Sequence, residues 1–200
     1  MRSKPLLCGL LGLLTAACHS TVDRRVDPDA PDAVGGAVLQ SQDIKTMADR
    51  MAREIVASGA LASARPDEPI TFHITQLRND SADTIDKEIV LYKLRTELFK
   101  AMGGRVRILD RSAEGLEAVR QEREAKRARA VSANPNMKGD VLGSDYVLKG
   151  VIKSRIQQGG RLKSAYYLVT FELTDLETGE LRWTGDYETK FESEKSVITR

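Results

Sequence analysis

Tyr146-Val147-Leu148-Lys149-Gly150-Val151-Ile152-Lys153-Ser154-Arg155-Ile156, then Gly159-Gly160, then Tyr166-Tyr167-Leu168-Val169-Thr170-Phe171-Glu172-Leu173 is the stretch that decides the fold. On both sides of the glycine pair, apolar and polar residues alternate with the period of half-buried strands. Tyr146, Leu148, Ile152 and Ile156 share one face of a strand over 145–156, and Tyr167, Val169, Phe171 and Leu173 share one face of a strand over 164–174. A two-residue Gly159-Gly160 turn pairs position 158 with 161, which sets Leu148 opposite Phe171 and Ile152 opposite Tyr167. The two apolar faces then coincide. A third strand carries Leu181, Trp183, Tyr187 and Phe191 on one face. A two-residue loop would set Leu173 opposite Thr184, on the wrong face. A three-residue loop over 177–179, with Gly179 left-handed, sets it opposite Trp183. The chain predicts a C-terminal three-stranded antiparallel meander.

Upstream the period changes. Ile44, Met47, Ala48, Met51, Ile55 and Val56 recur at helical spacing, with Asp43 as the expected N-cap. Ile70, Phe72 and Ile74 alternate as a strand, and Arg78-Asn79-Asp80-Ser81 reads as a polar turn. Asp86 opens a second helix through Ile89, Leu94, Leu98 and Met102, which Gly103-Gly104 ends. Residues 106–109 form a short strand. Ser112 opens a third helix with Leu116 and Val119 inward, and its continuation from Arg120 to Arg129 is charged and runs into solvent. Asn134-Pro135 breaks it, and a short helix is expected over 138–142. The fold class is α/β (α+β), with one domain over 41–200 whose last nine or so residues are loose. Its sheet is mixed, mostly antiparallel, and flanked by helices.

The other face of the meander is amphiphilic. Val147, Val151 and Leu168 form its middle, and Lys149, Lys153, Arg155, Tyr166, Glu172, Asp186, Glu188 and Lys190 surround it. Such a face is either covered by a helix, the usual arrangement in mixed folds, or offered to a partner. Lys149, Lys153, Arg155 and Tyr166 are the candidate contact residues for a partner, Lys153 facing Tyr166 in this register. An apolar centre with a charged rim is ordinary interface anatomy.

The chain opens with Arg2 and Lys4, an apolar run over 6–14, and then Leu13-Leu14-Thr15-Ala16-Ala17-Cys18. This is a secretory signal peptide over 1–17, too short to span a membrane, which takes about 20 apolar residues. The small-small-Cys ending resembles the lipobox of bacterial lipoproteins, in which the cysteine is acylated and becomes the new amino terminus. Thr15 departs from the usual leucine. Cleavage before Cys18 removes Cys8 and leaves no free thiol, which suits an oxidising compartment. His19 rather than aspartate at the second mature position points to the outer membrane by the sorting rule of enteric bacteria. Residues 18–40 read as a lipidated, disordered tether with Asp27-Pro28, Ala30-Pro31-Asp32 and Gly35-Gly36 and no apolar periodicity. Its extended reach is at most about 75 Å. The whole chain has 31 basic and 29 acidic side chains. Since Arg2 and Lys4 leave with the signal peptide, the remainder is balanced, and nothing suggests a nucleic-acid partner.

Four stretches carry a family resemblance. They are Asp80-Ser81 through Ile85-Asp86-Lys87 into Lys93-Leu94-Arg95-Thr96-Glu97-Leu98; Arg107-Ile108-Leu109-Asp110-Arg111; Leu142-Gly143-Ser144-Asp145-Tyr146-Val147-Leu148 before Gly150; and Tyr166-Tyr167 with Asp175-Leu176-Glu177-Thr178-Gly179 and Trp183. In order and spacing they resemble the LpoB family, whose wider relatives include CsgG and the amino-terminal domain of TolB. The resemblance implies an outer-membrane lipoprotein with its domain in the periplasm, without chemistry of its own. Its partner would be the periplasmic docking domain of a class A penicillin-binding protein, whose peptidoglycan synthesis it activates. The alternative is a CsgG-like structural or secretion-associated envelope lipoprotein. A pore of that kind needs long amphipathic hairpins, and here the glycine hairpin is short and charged on one face. The tether is shorter than that of enteric family members, with a correspondingly shorter reach. Asp86 and Asp110 sit where helix N-termini need acceptors, and Gly143 and Gly150 where a chain turns or packs closely. These residues mark the fold.

No catalytic constellation stands out. His19 lies in the tether and His73 alternates outward on a strand, so the two histidines make no zinc site, and Cys18 is taken by lipid. There is no G-x-S-x-G elbow, P-loop or dinucleotide fingerprint. The expectation is a non-enzyme with no metal, no cofactor and no small-molecule substrate. The basic run over 123–129 reads as a solvated helix end.

Overall fold

The computed structural model describes residues 23–62, 68–131 and 141–195. The chain divides into two units, Met1–Ala30 and Pro31–Arg200. In the first, the described residues close a turn in which Ala30 N donates to Asp27 O at 3.0 Å. The second holds α1 (Ser41–Ala57), β1 (Ile70–Asp80), α2 (Lys87–Met102), β2 (Val106–Leu109), α3 (Ala113–Arg127), β3 (Tyr146–Gly159), β4 (Leu162–Asp175) and β5 (Leu181–Glu194). One five-stranded sheet has the order β2-β1-β3-β4-β5. β1 is parallel to both β2 and β3, and the meander β3-β4-β5 is antiparallel.

Each helix starts where its sequence supplies an acceptor. Asp86 accepts from Glu88 N and Ile89 N at 3.0 and 3.3 Å, and left-handed Gly103 ends α2. Ser112 Oγ accepts from Gly115 N at 3.0 Å. Asp110 is therefore not the cap of α3; it lies two residues ahead and accepts from Ser112 N at 2.9 Å. At α1 the cap is Gln40, and Asp43 is its third residue, accepting from Gln40 N at 2.9 Å in a capping box. Asp43 also accepts from the Tyr187 hydroxyl at 3.0 Å, which ties α1 to β5. Burial, then the adjacent Asp43 carboxylate, pushes that hydroxyl up to about 12.

α1 and α2 pack on one face of the sheet. Met47, Met51 and Ile55 of α1 and Val90, Leu94 and Leu98 of α2 share a core with Phe72, Leu77, Leu148, Ile152, Val169, Phe171 and Leu173. Ile89 lies outside it, more than half exposed, because the buried stripe of α2 runs through Val90, Leu91, Leu94, Leu98 and Met102. The start of α3, Ala113–Gly115, lines a cleft with Glu88, Leu91, Tyr92 and Arg95 of α2 and with His73–Gln76 of β1. No residue of α3 is buried. Leu116 and Val119, expected inward, are exposed, so α3 does not seal the face that a helix was expected to cover. The helix expected over 138–142 falls mostly outside the described residues.

The strands differ from expectation in three places. β1 does not end in a turn at Arg78. It continues to Asp80 through a bulge between Ile74 and Leu77 that re-phases the strand, so that Leu77 joins the core. The first hairpin turns one residue later than the glycine pair suggests. Gly159 pairs with Leu162, which sets Leu148 opposite Leu173, Ile152 opposite Val169 and Lys153 opposite Leu168. The shift is by two positions on β4, so every side chain keeps its face. In the second hairpin Leu173 faces Trp183 as expected, but by another route. Asp175 N bonds Glu180 O across a four-residue loop, and a bulge at Arg182 restores the register. Gly179 is left-handed at φ 75°, and Asp175 accepts from Glu177 N and Thr178 N.

Trp183 is half-buried and lies over Gly185, where a Cβ would fall 2.3 Å from its ring. Truncating it sacrifices part of a core contact. Trp183→Ala is expected to lower unfolding free energy by about 2 kcal/mol in urea melts, below the 3–5 kcal/mol of a fully buried aromatic.

Packing starts before Ser41. Ala37 is buried in a second cluster with Ala165 and Tyr167, and Leu39 packs against both clusters. The Tyr167 hydroxyl donates to the Asp83 carboxylate and faces Ala37 O at 3.3 Å. Asp32 accepts from both Ser41 N and Ser41 Oγ. The expected start at 41 thus moves back, and the compact unit begins at Pro31. Deleting residues 19–30 is expected to leave the melting temperature unchanged. Deleting 19–40 is expected to lower it by about 5–10 °C, since Leu39 burial and a helix cap are each worth about 1–3 kcal/mol. Differential scanning calorimetry of the two truncations separates these outcomes.

Candidate partner-binding face

Four of the sequence-predicted site residues share the second face of the meander. Lys149, Lys153 and Arg155 alternate along β3 and are exposed; Tyr166 of β4 is half-buried. Arg155 pairs directly with Tyr166, Lys153 faces Leu168, and Lys149 faces Glu172. Arg155 and Tyr166, not Lys153 and Tyr166, are therefore neighbours across the ladder, about 5 Å apart between cross-strand Cβ atoms. On the far side of β4, Tyr166 pairs with Lys190, Leu168 with Glu188 and Thr170 with Asp186.

The face is electrostatically bipolar. β3 presents Lys149, Lys153 and Arg155, and β5 presents Asp186, Glu188 and Glu192 with Lys190 among them. Tyr166 bridges the halves. Its hydroxyl is raised first by desolvation and then by Glu188, with which it shares a hydrogen bond. Lys149, Lys153 and Arg155 form no ion pair among the described residues, so their charges are directed at solvent. In the middle, Val147 is buried and Val151 and Leu168 are half-buried. The β1 bulge adds Arg78 and Asp80, an ion pair at 2.9 Å, beside Val151 and Lys153. The sequence reading missed these two by taking Arg78-Asn79-Asp80-Ser81 as a turn. The signal was the break in phase between Ile74 and Leu77.

Among the family-marking residues, Gly143, Ser144, Asp145 and Gly150 make architectural contacts. Asp145 Oδ2 accepts from Thr71 N and Thr71 Oγ1 at 2.8 and 2.9 Å, while Asp145 N donates to Thr71 O. Thr71 Oγ1 also approaches Gly143 O at 2.9 Å. The segment 143–145 thus clamps the start of β3 onto β1. Ser144 Oγ lies 2.9 Å from His73 Nδ1. Burial, then Arg111, lowers the imidazole pKa below its ordinary value. A neutral ring fits a structural role beside Ser144. Gly150 and Gly115 are points of close approach: a Cβ on Gly115 would fall 2.4 Å from the Asp110 carboxylate.

Cys18 lies outside the described residues. Among the described residues no three His, Cys, Asp or Glu side chains converge as metal ligands, and no helix is long and apolar enough to cross a membrane.

Comparison with known proteins gives one family. The family described as "Peptidoglycan-synthase activator LpoB" matches residues 43–189. Among solved structures, the chain is similar to the LpoB C-terminal domain from Salmonella enterica, at 15% identity, with 74% of this chain and 98% of that one covered and a TM-score of 0.44. It is also similar to E. coli LpoB, at 15% identity, with 98% and 84% covered and a TM-score of 0.39. Lipoprotein GNA1162 from Neisseria meningitidis is similar at 18% identity, with 65% and 88% covered and a TM-score of 0.41. No curated protein matches. The family match spans α1 through most of β5 and includes all four motif stretches, so this chain belongs to the LpoB family of peptidoglycan-synthase activators.

Proposed function

We propose that this protein is an outer-membrane lipoprotein, anchored through Cys18, that binds a class A penicillin-binding protein in the periplasm and stimulates its peptidoglycan synthesis without catalysing a reaction itself. The observation that carries this reading is the family match over residues 43–189. The bipolar sheet face supports it, because Lys149, Lys153 and Arg155 are exposed there and Tyr166 is half-buried. That face combines a tyrosine and an arginine, the residue types enriched at binding hot spots, with an apolar centre. The test is direct. The mature chain should raise glycan polymerisation and crosslinking by a purified class A synthase and bind it at micromolar concentration or tighter. A chain that neither binds nor stimulates any class A synthase of its own cell sinks the reading.

Anchoring has its own test. The mature amino terminus should carry a lipid-modified cysteine by mass spectrometry, and Cys18→Ala should move the protein out of the outer-membrane fraction. A variant that still fractionates with that membrane overturns the assignment. Since the compact unit begins at Pro31, only residues 19–30 link the anchor to it, a span of about 40 Å when extended.

A further inference from the structure

We infer that the outward side of α2 docks on an anionic phospholipid surface and thereby turns the Lys149–Tyr166 sheet face away from the membrane. The proposal rests on the reading of Cys18 as a lipid anchor. α2 is apolar on two sides. One side carries Val90, Leu91, Leu94, Leu98 and Met102 into the core. The other carries Ile89, Tyr92 and Phe99, which are 55, 59 and 55% exposed. Spacings of three and seven residues place them on one stripe, with Thr96 between, its hydroxyl bonded back to Tyr92 O. A helix that is apolar all round is ordinarily buried; this one is buried on one side only. Over its length α2 has four basic residues, Lys87, Lys93, Arg95 and Lys100, and two acidic ones, Glu88 and Glu97; all but Lys87 border the stripe. Lys93 and Lys100 share Glu97, and the Arg95 guanidinium lies 5.5 Å over the Tyr92 ring. Tyrosine and phenylalanine flanked by arginine and lysine fit the headgroup boundary of a bilayer with anionic lipid.

Two facts favour a bilayer over a protein occupant. The first is the basic excess on the helix. The second is chain length: the twelve residues between Cys18 and Pro31 can reach at most about 40 Å, so an acylated Cys18 keeps Pro31 near the membrane. A short tether supplies an effective concentration in the millimolar range, at which a weak headgroup affinity is enough. The topology then fixes the orientation. α2 lies over the core face of the sheet, while Lys149, Lys153, Arg155 and Tyr166 lie on the other face. A domain resting on α2 therefore points its candidate partner face into the space beyond.

The test uses the chain 19–200, which carries no lipid and keeps the whole compact unit. It should cosediment with phosphatidylethanolamine:phosphatidylglycerol vesicles at least about fivefold more than with phosphatidylcholine vesicles, and less in high salt. Tyr92→Ser with Phe99→Ser, and separately Arg95→Glu with Lys100→Glu, should bring it down to the phosphatidylcholine level with unchanged circular dichroism. Equal sedimentation on both vesicles overturns the proposal. So does a folded Tyr92→Ser, Phe99→Ser variant that sediments like wild type, or a wild-type dimer that this variant dissolves. Because the probe is unlipidated, the result stands apart from whether Cys18 is acylated and from whether a synthase binds.

Discussion

Gly150→Val is expected to lower unfolding free energy by about 3 kcal/mol, the upper end of the ordinary cost of overpacking. One row of the sheet explains the size. Leu77, Gly150, Phe171 and Gly185 are cross-strand partners on β1, β3, β4 and β5. Large and small side chains alternate along it. A Cβ on Gly150 would fall 2.5 Å from the Phe171 ring and 2.6 Å from Leu77 Cδ1. Both neighbours are about 1% exposed, so neither side chain has open space to swing into. Valine adds two further carbons to that clash, and close-packed interiors do not yield such space without strain. For a domain of this size the loss corresponds to a melting temperature lower by about 6–12 °C. Urea unfolding of Gly150→Val, Phe171→Leu and the double variant measures it. The double variant should recover part of the loss, since the smaller side chain at 171 makes room, and coupling of this kind is expected between touching residues. A Gly150→Val protein within 1 kcal/mol of wild type would mean that the row is not packed as described.

The same row shows how far the sequence could be read. Alternation identified the meander and the face of every side chain in it, because face depends only on parity. Register depends on turn geometry, and Gly159-Gly160 offered two adjacent places to turn. The chain turns at Gly160-Arg161, with Gly160 left-handed at φ 58°, so Leu148 meets Leu173 and not Phe171. The bulge in β1 was hidden for a related reason. Arg78-Asn79-Asp80 has turn composition, and only its parallel pairing with β3 makes it a strand. α3 failed differently. Leu116 and Val119 have helical spacing for an inward stripe, but two apolar residues on a highly charged helix bury too little to hold it down. The segment 31–40 looked like a tether because its few apolar residues, Ala37 and Leu39 among them, show no period. Tyr167 and Ala165 supply the surface they cover. For the candidate face, the residue types and their common side were legible. The Arg155–Tyr166 pairing and the contribution of Arg78 and Asp80 were not, because both depend on register.

Tyr166→Ala with Arg155→Glu is expected to weaken binding to a class A synthase by at least about 30-fold, equivalent to about 2 kcal/mol, and to abolish stimulation at concentrations that saturate wild type. Arg155 and Tyr166 are cross-strand neighbours on the open face. The double change removes an aromatic anchor and inverts a charge beside it. Against a partner surface complementary to the basic half of the face, the inverted charge adds like-charge repulsion to the lost contact. The fold should survive, because Arg155 is exposed and Tyr166 half-buried on the face away from the main core. Two controls separate contact from collapse. Tyr166→Phe keeps the ring and removes only the hydroxyl that bonds Glu188, and should retain most of the activity. Lys100→Glu lies on α2, across the sheet, and should leave synthase binding in solution unchanged. Association rate should also fall with added salt in wild type and much less in the double variant, since exposed charges act mainly on encounter. If the folded double variant stimulates as well as wild type, the contact surface lies elsewhere on the domain. If Lys100→Glu alone is as damaging, the outward side of α2 is the better assignment for the synthase.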